Sequence, residues 1–448
     1  MKEAELVVGD AVGHTGHHRR FLGLVATLGL IVTGCSDSTT VTPPSSTQAP
    51  ATTTAGPTAT TDAATTSSTP STTALPTTTT VAEGPSGNAF YQPPSPLPPA
   101  PAGALIWVAP LSDAPAGTNG FKILYHSRSI ADADIAVSGV VFVPKSANNN
   151  APILSYAHGT TGLGDQCAPS KNGANEARFL SAGALSRGFV VVATDYDGLG
   201  TPGVHPYLVG LSEGRSVLDA ARAAINLGMA TSAQSPVLVW GHSQGGGSAL
   251  FAAELAPTYA PDLHVEGAIA GAPAVELAVL GSSLASSPAS ALSGFAFMAI
   301  AGFKAAYPTL DLSAFLTAKG IAESEKAGVQ CNETVTDLTG KNIADYMTTN
   351  PVTLEPYASY LKENTPGQVP TPVPIFVYHG DADELVPVTA SELYLRRTCK
   401  VGGFTVLRTV YKGGTHVGVI ALALNDIATW IDDRLAGKPA PTTTCPPA

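Results

Sequence analysis

Between residues 121 and 411, short apolar runs recur along the chain, separated by longer stretches whose apolar positions follow a helical spacing. The runs at 121–125, 137–143, 153–157, 189–193, 237–240, 265–270, 375–378 and 405–411 are rich in Val, Ile and aromatic residues and predict strands. Helical patterns fall at 176–187, 213–227 and 248–255. In 213–227, Val217, Leu218, Ala221, Ala224 and Ile225 share one face, while Arg215, Asp219 and Arg222 lie elsewhere. From 419 to 435 the apolar positions again recur at helical spacing, with Asp426, Asp432, Asp433 and Arg434 on the other side. Strands alternating with helices predict an α/β fold, a mainly parallel sheet covered on both faces.

The alternation stops between Gly271-Ala272-Pro273 and Pro370. This insertion, 274–369, is rich in Ala, Ser and Leu, with helical pieces expected at 314–319, 322–328 and 354–361. It divides the α/β core into 102–273 and 370–448 and should form a helical cap at the strand ends. Phe295, Phe297, Met298, Ile300 and Phe303 are candidates for an acyl-binding pocket or for the cap's own core, with the second reading favoured.

The N-terminal hundred residues follow neither pattern. His17-His18-Arg19-Arg20 and the apolar run 21–32 have the form of a signal peptide, the run being too short to span a bilayer. Val32-Thr33-Gly34-Cys35 resembles a bacterial lipobox, which would make Cys35 a lipid-bearing mature N-terminus anchored to the membrane; secretion after cleavage near Gly34 is the alternative. Residues 36–101 are Thr-, Ser-, Pro- and Ala-rich with almost no charge, and predict a disordered stalk. Four further cysteines, Cys167, Cys331, Cys399 and Cys445, fit disulfides in an exported chain. Of the three connectivities, Cys167–Cys331 with Cys399–Cys445 is favoured, the first tying a core loop to the cap and the second pinning the tail. The net charge of −11 with 13% charged residues argues against nucleic acid.

Gly241-His242-Ser243-Gln244-Gly245 joins the 237–240 run to a helical stretch. A serine on such a tight strand-to-helix turn projects its hydroxyl above the sheet. A nucleophilic serine needs a base and an acid to orient it, in the order serine, acid, histidine. Three acids, Asp381, Asp383 and Glu384, follow the 375–378 strand, and Asp383 is preferred because Leu385-Val386-Pro387 would fold back and bury it. His416 lies in a Gly-rich loop between the last strand and the last helix, placed to act as general base. An oxyanion hole would take one N–H from Gln244 and a second from Thr160, in the loop His158-Gly159-Thr160-Thr161-Gly162 after the 153–157 strand. Asp195 and Asp197 also follow a strand, but no histidine or carboxylate cluster accompanies them as metal ligands. His205 and His242 are assigned structural and packing roles. No metal or organic cofactor is implied.

Several stretches resemble the secretory lipase family of the α/β-hydrolases. They are 156–162 with Cys167-Ala168-Pro169-Ser170, 195–200 with His205-Pro206-Tyr207-Leu208, the Ser243 turn, and Gly413-Gly414-Thr415-His416, spanning about 105–435. The resemblance implies an α/β-hydrolase fold with an inserted cap, and a lipid ester, most simply an acylglycerol, as substrate. It gives Ser243, Asp383 and His416 the family's triad roles. The alternatives are a short-chain carboxylesterase, an envelope acyltransferase using the same triad, and a catalytically silent lipid-binding lipoprotein.

Overall fold

Alternate residues of each central strand face opposite ways, and the two sets fill two separate cores. The computed structural model describes residues 81–286 and 292–446; the expected signal segment and the stalk up to residue 80 lie outside the described residues. A nine-stranded sheet is formed by β1 (Leu105–Pro110), β2 (Thr118–Arg128), β3 (Asp134–Pro144), β4 (Ile153–Ala157), β5 (Val190–Thr194), β6 (Pro236–His242), β7 (His264–Gly271), β8 (Ile375–Gly380) and β9 (Val406–Tyr411), in the order β1-β2-β3-β5-β4-β6-β7-β8-β9. β1, β2, β3 and β5 pair antiparallel; from β5 to β9 every pairing is parallel.

Ile153, Val190, Val192, Val237 and Val239 pack on one face against α3 (Gly210–Asn226) and α4 (Gln244–Tyr259), after α1 (Asn175–Leu180) and α2 (Ala182–Ser186) in the chain. Leu154, Tyr156, Val191, Leu238 and Trp240 meet α1, α2 and the C-terminal helix on the other. The 2-residue period of a strand therefore reads as an unbroken apolar run, because both of its faces are buried.

The cap contains α5 (Leu277–Ser286), α6 (Leu292–Ala306), α7 (Ala318–Ala327), α8 (Glu333–Leu338) and α9 (Tyr357–Glu363). After it come α10 (Thr389–Val401) and α11 (Gly418–Leu435). α6 supplies the centre of the cap's core, where Phe297, Met298 and Phe303 are buried with Phe315 and Tyr357.

The structure departs from the sequence expectations at several boundaries. Helix 176–187 is two short helices, broken at Ser181, whose hydroxyl donates back to the Ala177 carbonyl. No single helix covers 314–319: a 3-10 turn at Leu312–Ala314 ends, and α7 starts only at Ala318, where Thr317 caps it by accepting the Gly320 N–H at 3.1 Å. Pro356 stands at the N-cap of α9, so that helix starts at Tyr357. The stalk expected to reach residue 101 gives way to packed chain earlier. Gly87–Tyr91 forms a 3-10 turn with Phe90 and Tyr91 buried, and the Trp107 indole N–H donates to the Phe90 carbonyl at 2.8 Å. Two buried aromatics provide the apolar surface that the Thr-rich stretch before them lacks.

Candidate active site

Ser243 sits between β6 and α4 with φ 59° and ψ −120°, a left-handed conformation costing about 1–3 kcal/mol for a residue with a side chain. The turn is held by Ser243 N–H to the Gly271 carbonyl and Ala274 N–H to the Ser243 carbonyl, both at 2.9 Å. Its glycines answer to close approach. A Cβ on Gly241 would lie 2.0 Å from the Gly245 oxygen, and one on Gly245 would lie 1.9 Å from the Ala157 oxygen. The start of α4 is thus pressed against the end of β4, and larger residues there would push the serine away from the β4 loop.

His416 Nε2 is 2.9 Å from Ser243 Oγ, and His416 Nδ1 is 2.7 Å from Asp383 Oδ2. The structure brings all three expected residues together at the carboxyl ends of β6, β8 and β9. Asp383 Oδ1 accepts the N–H groups of Leu385 (2.9 Å) and Val386 (2.8 Å), so the segment after the acid does fold back on it. His379 Nε2 lies 3.2 Å from Asp383 Oδ2. Burial works to raise the Asp383 carboxyl, but the hydrogen bonds from His379 and His416 outweigh it and hold the group well below the usual carboxylate range. The other two acids serve the loop instead. Asp381 accepts the Gly413 N–H at 2.6 Å, and Glu384 accepts the His416 N–H at 3.0 Å.

Gln244 opens α4 directly after the serine, and Thr160 lies in the loop that follows β4. Among the described residues neither backbone N–H is given to a protein acceptor. The β4 loop is tied down by Glu176, which accepts from the Tyr156 hydroxyl at 2.6 Å and the Gly159 N–H at 3.2 Å. It is also tied to the cap. The Leu163 N–H donates to the Gln330 carbonyl at 2.9 Å, and a disulfide joins Cys167 to Cys331. The second disulfide, Cys399–Cys445, pins the tail to α10, so both favoured pairings are the ones formed.

Sequence reading missed a buried polar cluster behind Gln244. Glu213 Oε1 accepts from Gln244 Nε2 at 2.8 Å and from the Leu208 N–H at 2.8 Å, while its Oε2 accepts from Ser248 Oγ at 2.6 Å. Burial pushes the Glu213 carboxyl up to about 7 against these hydrogen bonds, and pushes His205 down to about 3. Glu176 and Glu213 enter the sequence reading only as the first positions of the helical patterns 176–187 and 213–227; no motif distinguishes a buried glutamate from a solvated one. His242 packs as expected, its ring stacked 5.8 Å from Tyr378. Asp195 is tied by Ser138 Oγ at 2.6 Å and the Ser170 N–H at 2.9 Å, a structural knot under the β5 loop.

A sequence profile described as secretory lipase matches residues 174–443, more than half of the chain. The chain belongs to the secretory lipase family. As a secretory lipase it is a carboxylic ester hydrolase of lipid esters, and with two disulfides it fits an extracytoplasmic location. Lipase 6 of Candida albicans is 25% identical over 80% of this chain and 82% of its own. A Mycobacterium tuberculosis protein named a probable inactive lipase is 27% identical over 79% of this chain and 83% of its own. The crystal structure of Candida antarctica lipase A superposes with a TM-score of 0.71 at 23% identity, covering 80% of this chain and 88% of that one, a likeness of fold.

Proposed function

We propose that this secretory lipase cleaves lipid esters through an acyl-enzyme on Ser243. The observation that carries the reading is the unbroken relay from Ser243 Oγ to His416 to Asp383, at 2.9 and 2.7 Å. Ser243 attacks the ester carbonyl as His416 takes its proton, and Asp383 holds the imidazole tautomer and steadies the imidazolium. The oxyanion is received by the N–H groups of Gln244 and Thr160, each donor lowering the barrier by roughly 3 kcal/mol. His416 then protonates the leaving alcohol, and water frees the acyl group. The complete relay supports the enzymatic reading over that of a silent lipoprotein.

The acyl chain is assigned to a cavity of about 220 Å³ in the cap, lined by Leu277, Leu280, Phe295, Ala296, Ala299 and Ile300 among others. Leu208 lines it too, and its neighbour Tyr207 has its hydroxyl 2.8 Å from Thr160 Oγ1, which supports a seat on the Thr160 side of the site. Of the five cap residues singled out in the sequence, Phe295 and Ile300 line the cavity, while Phe297, Met298 and Phe303 are cap core. An apolar seat in the cap favours acylglycerols over short-chain esters.

The deciding experiment is hydrolysis of p-nitrophenyl esters from acetate to palmitate by wild type and Ser243→Ala. Loss of about 10⁶-fold in kcat is expected if the triad acts as a unit; a variant keeping a tenth of wild-type activity overturns the assignment. Acyl transfer to added alcohols in preference to water would replace hydrolase by acyltransferase. The lipobox at Cys35 adds a membrane anchor to the proposal. Cys35→Ala should release the enzyme from the membrane fraction; a wild type already free in the medium would leave plain secretion.

A further inference from the structure

Gln244 contributes its backbone to the site, yet its side chain is among the most constrained in the molecule. The residue is 1% exposed, and both hydrogens of its carboxamide are used. One goes to Glu213 Oε1 at 2.8 Å; the other goes to His205 Nε2 at 2.8 Å. The second bond needs an unprotonated Nε2. Burial keeps the ring neutral, and its Nδ1 lies 2.8 Å from the Asp197 carbonyl, which can only accept, so the ring's one proton is on Nδ1. The His205 ring is fixed in turn by stacking on Tyr196, at 5.4 Å and 9°.

Glu213 is 2% exposed, and the titratable groups facing it are His205, Tyr196 and Tyr207. No lysine or arginine pairs with it among the described residues. An unpaired buried carboxyl is an expensive way to fill space, which an apolar side chain would do better. Its three donors, however, come from the three parts that meet here: the cavity-lining Leu208, Gln244, and Ser248 one turn into α4.

We propose that Glu213 is a positioning residue for acyl transfer: with His205 it clamps the Gln244 carboxamide and so holds the Gln244 backbone N–H on the oxyanion. This rests on the reading of Ser243 as nucleophile and Gln244 as oxyanion donor. Because the clamp acts through one side chain, removing either end should have the same effect, and removing both should add nothing.

The test is a double-mutant cycle of Glu213→Leu and Gln244→Met, with p-nitrophenyl acetate as substrate so that the cap cavity plays no part, and circular dichroism melts to show that each variant folds. Each single variant should lose about tenfold in kcat with KM within twofold, and the double variant should stay within twofold of the worse single one. Glu213→Gln, whose Oε1 still accepts from Gln244 and Leu208, should recover most of the loss. Independent losses that multiply to about 100-fold, or a change in KM alone, overturn the proposal. If Glu213→Leu does not fold, Gln244→Met carries the test, since it leaves Glu213 its bonds to Leu208 and Ser248; an unchanged kcat overturns the clamp. A wild type that turns over no ester while Ser243 is unreactive toward a fluorophosphonate overturns the underlying reading instead.

Discussion

The loops that carry the relay and the cap above them are held by opposite means. In the loops almost every polar group is answered by another: Asp383 takes two backbone N–H groups and His416, Asp381 takes Gly413, and Glu384 takes the His416 N–H. The cap is an apolar cluster around α6, with stacked Tyr307 and Tyr360 at its edge. Hydrogen bonds are directional and fix atoms to fractions of an ångström, as proton transfer demands. Apolar contact is non-directional and tolerates a change of shape, as suits a cavity that takes acyl chains. Some polar clamps reach the cap as well. Arg397 donates to the Pro366 carbonyl (2.8 Å) and to Glu276 (2.6 Å), and Glu254 accepts the Val369 N–H at 3.3 Å.

The contrast is broken most severely at the loop acids. Asp383→Asn should lower kcat by about 10⁴-fold by leaving the imidazole without its orienting carboxylate. Asp381→Ala, which removes only the partner of Gly413, should cost about tenfold or less. Equal losses in steady-state kinetics would mean that the loop's rigidity, and not the identity of the acid, sets the rate.

In the cap the same size of perturbation should alter which ester is taken and leave the chemistry alone. Ala296→Phe fills part of the cavity, removing the seat of two or three methylenes at about 0.8 kcal/mol each. Turnover of the palmitate ester should fall roughly 10- to 100-fold relative to the acetate ester. A parallel fall for both esters would place the acyl chain elsewhere.

The smallest effect is on stability. Burial raises Asp197 from 3.8 to about 6, and raises Glu213 and Glu254 from 4.5 to about 7. Each carboxyl therefore keeps its proton in the native state over a range where the unfolded chain has lost it. Stability should fall as pH rises from about 4 to 7 and then level off. Asp383 acts in the opposite sense, its contribution being present above the ordinary carboxylate range and lost only in strong acid. A decline in Tm of roughly 2–5 °C between pH 5 and 7.5 is expected, reduced by more than half in Asp197→Asn/Glu254→Gln. A Tm that rises over this interval would show that these carboxyls are not buried in solution.

The strands of the parallel half were readable because burial on both faces leaves long apolar runs. β1 was not: its residues are mostly half-buried at the sheet edge. In the cap, α5 and α6 went unassigned because an Ala-, Ser- and Phe-rich stretch is apolar on all sides and shows no period. α10 went unassigned for a different reason, since it mixes Glu392, Arg396, Arg397 and Lys400 with only a narrow buried face.

The chain by itself determined the order strand–serine–helix, the acid after β8 and the histidine before α11, because each is a local choice of turn and strand chemistry. It also determined that four cysteines would pair. Which glutamates become buried partners could not be local. Glu176 meets the β4 loop across 17 residues and Glu213 meets Gln244 across 31, and only packing of the helices on the sheet removes water from those carboxyls. The cap cavity was likewise a matter of tertiary structure, since it is what side chains from α5, α6, α9 and neighbouring loops leave unfilled when they meet.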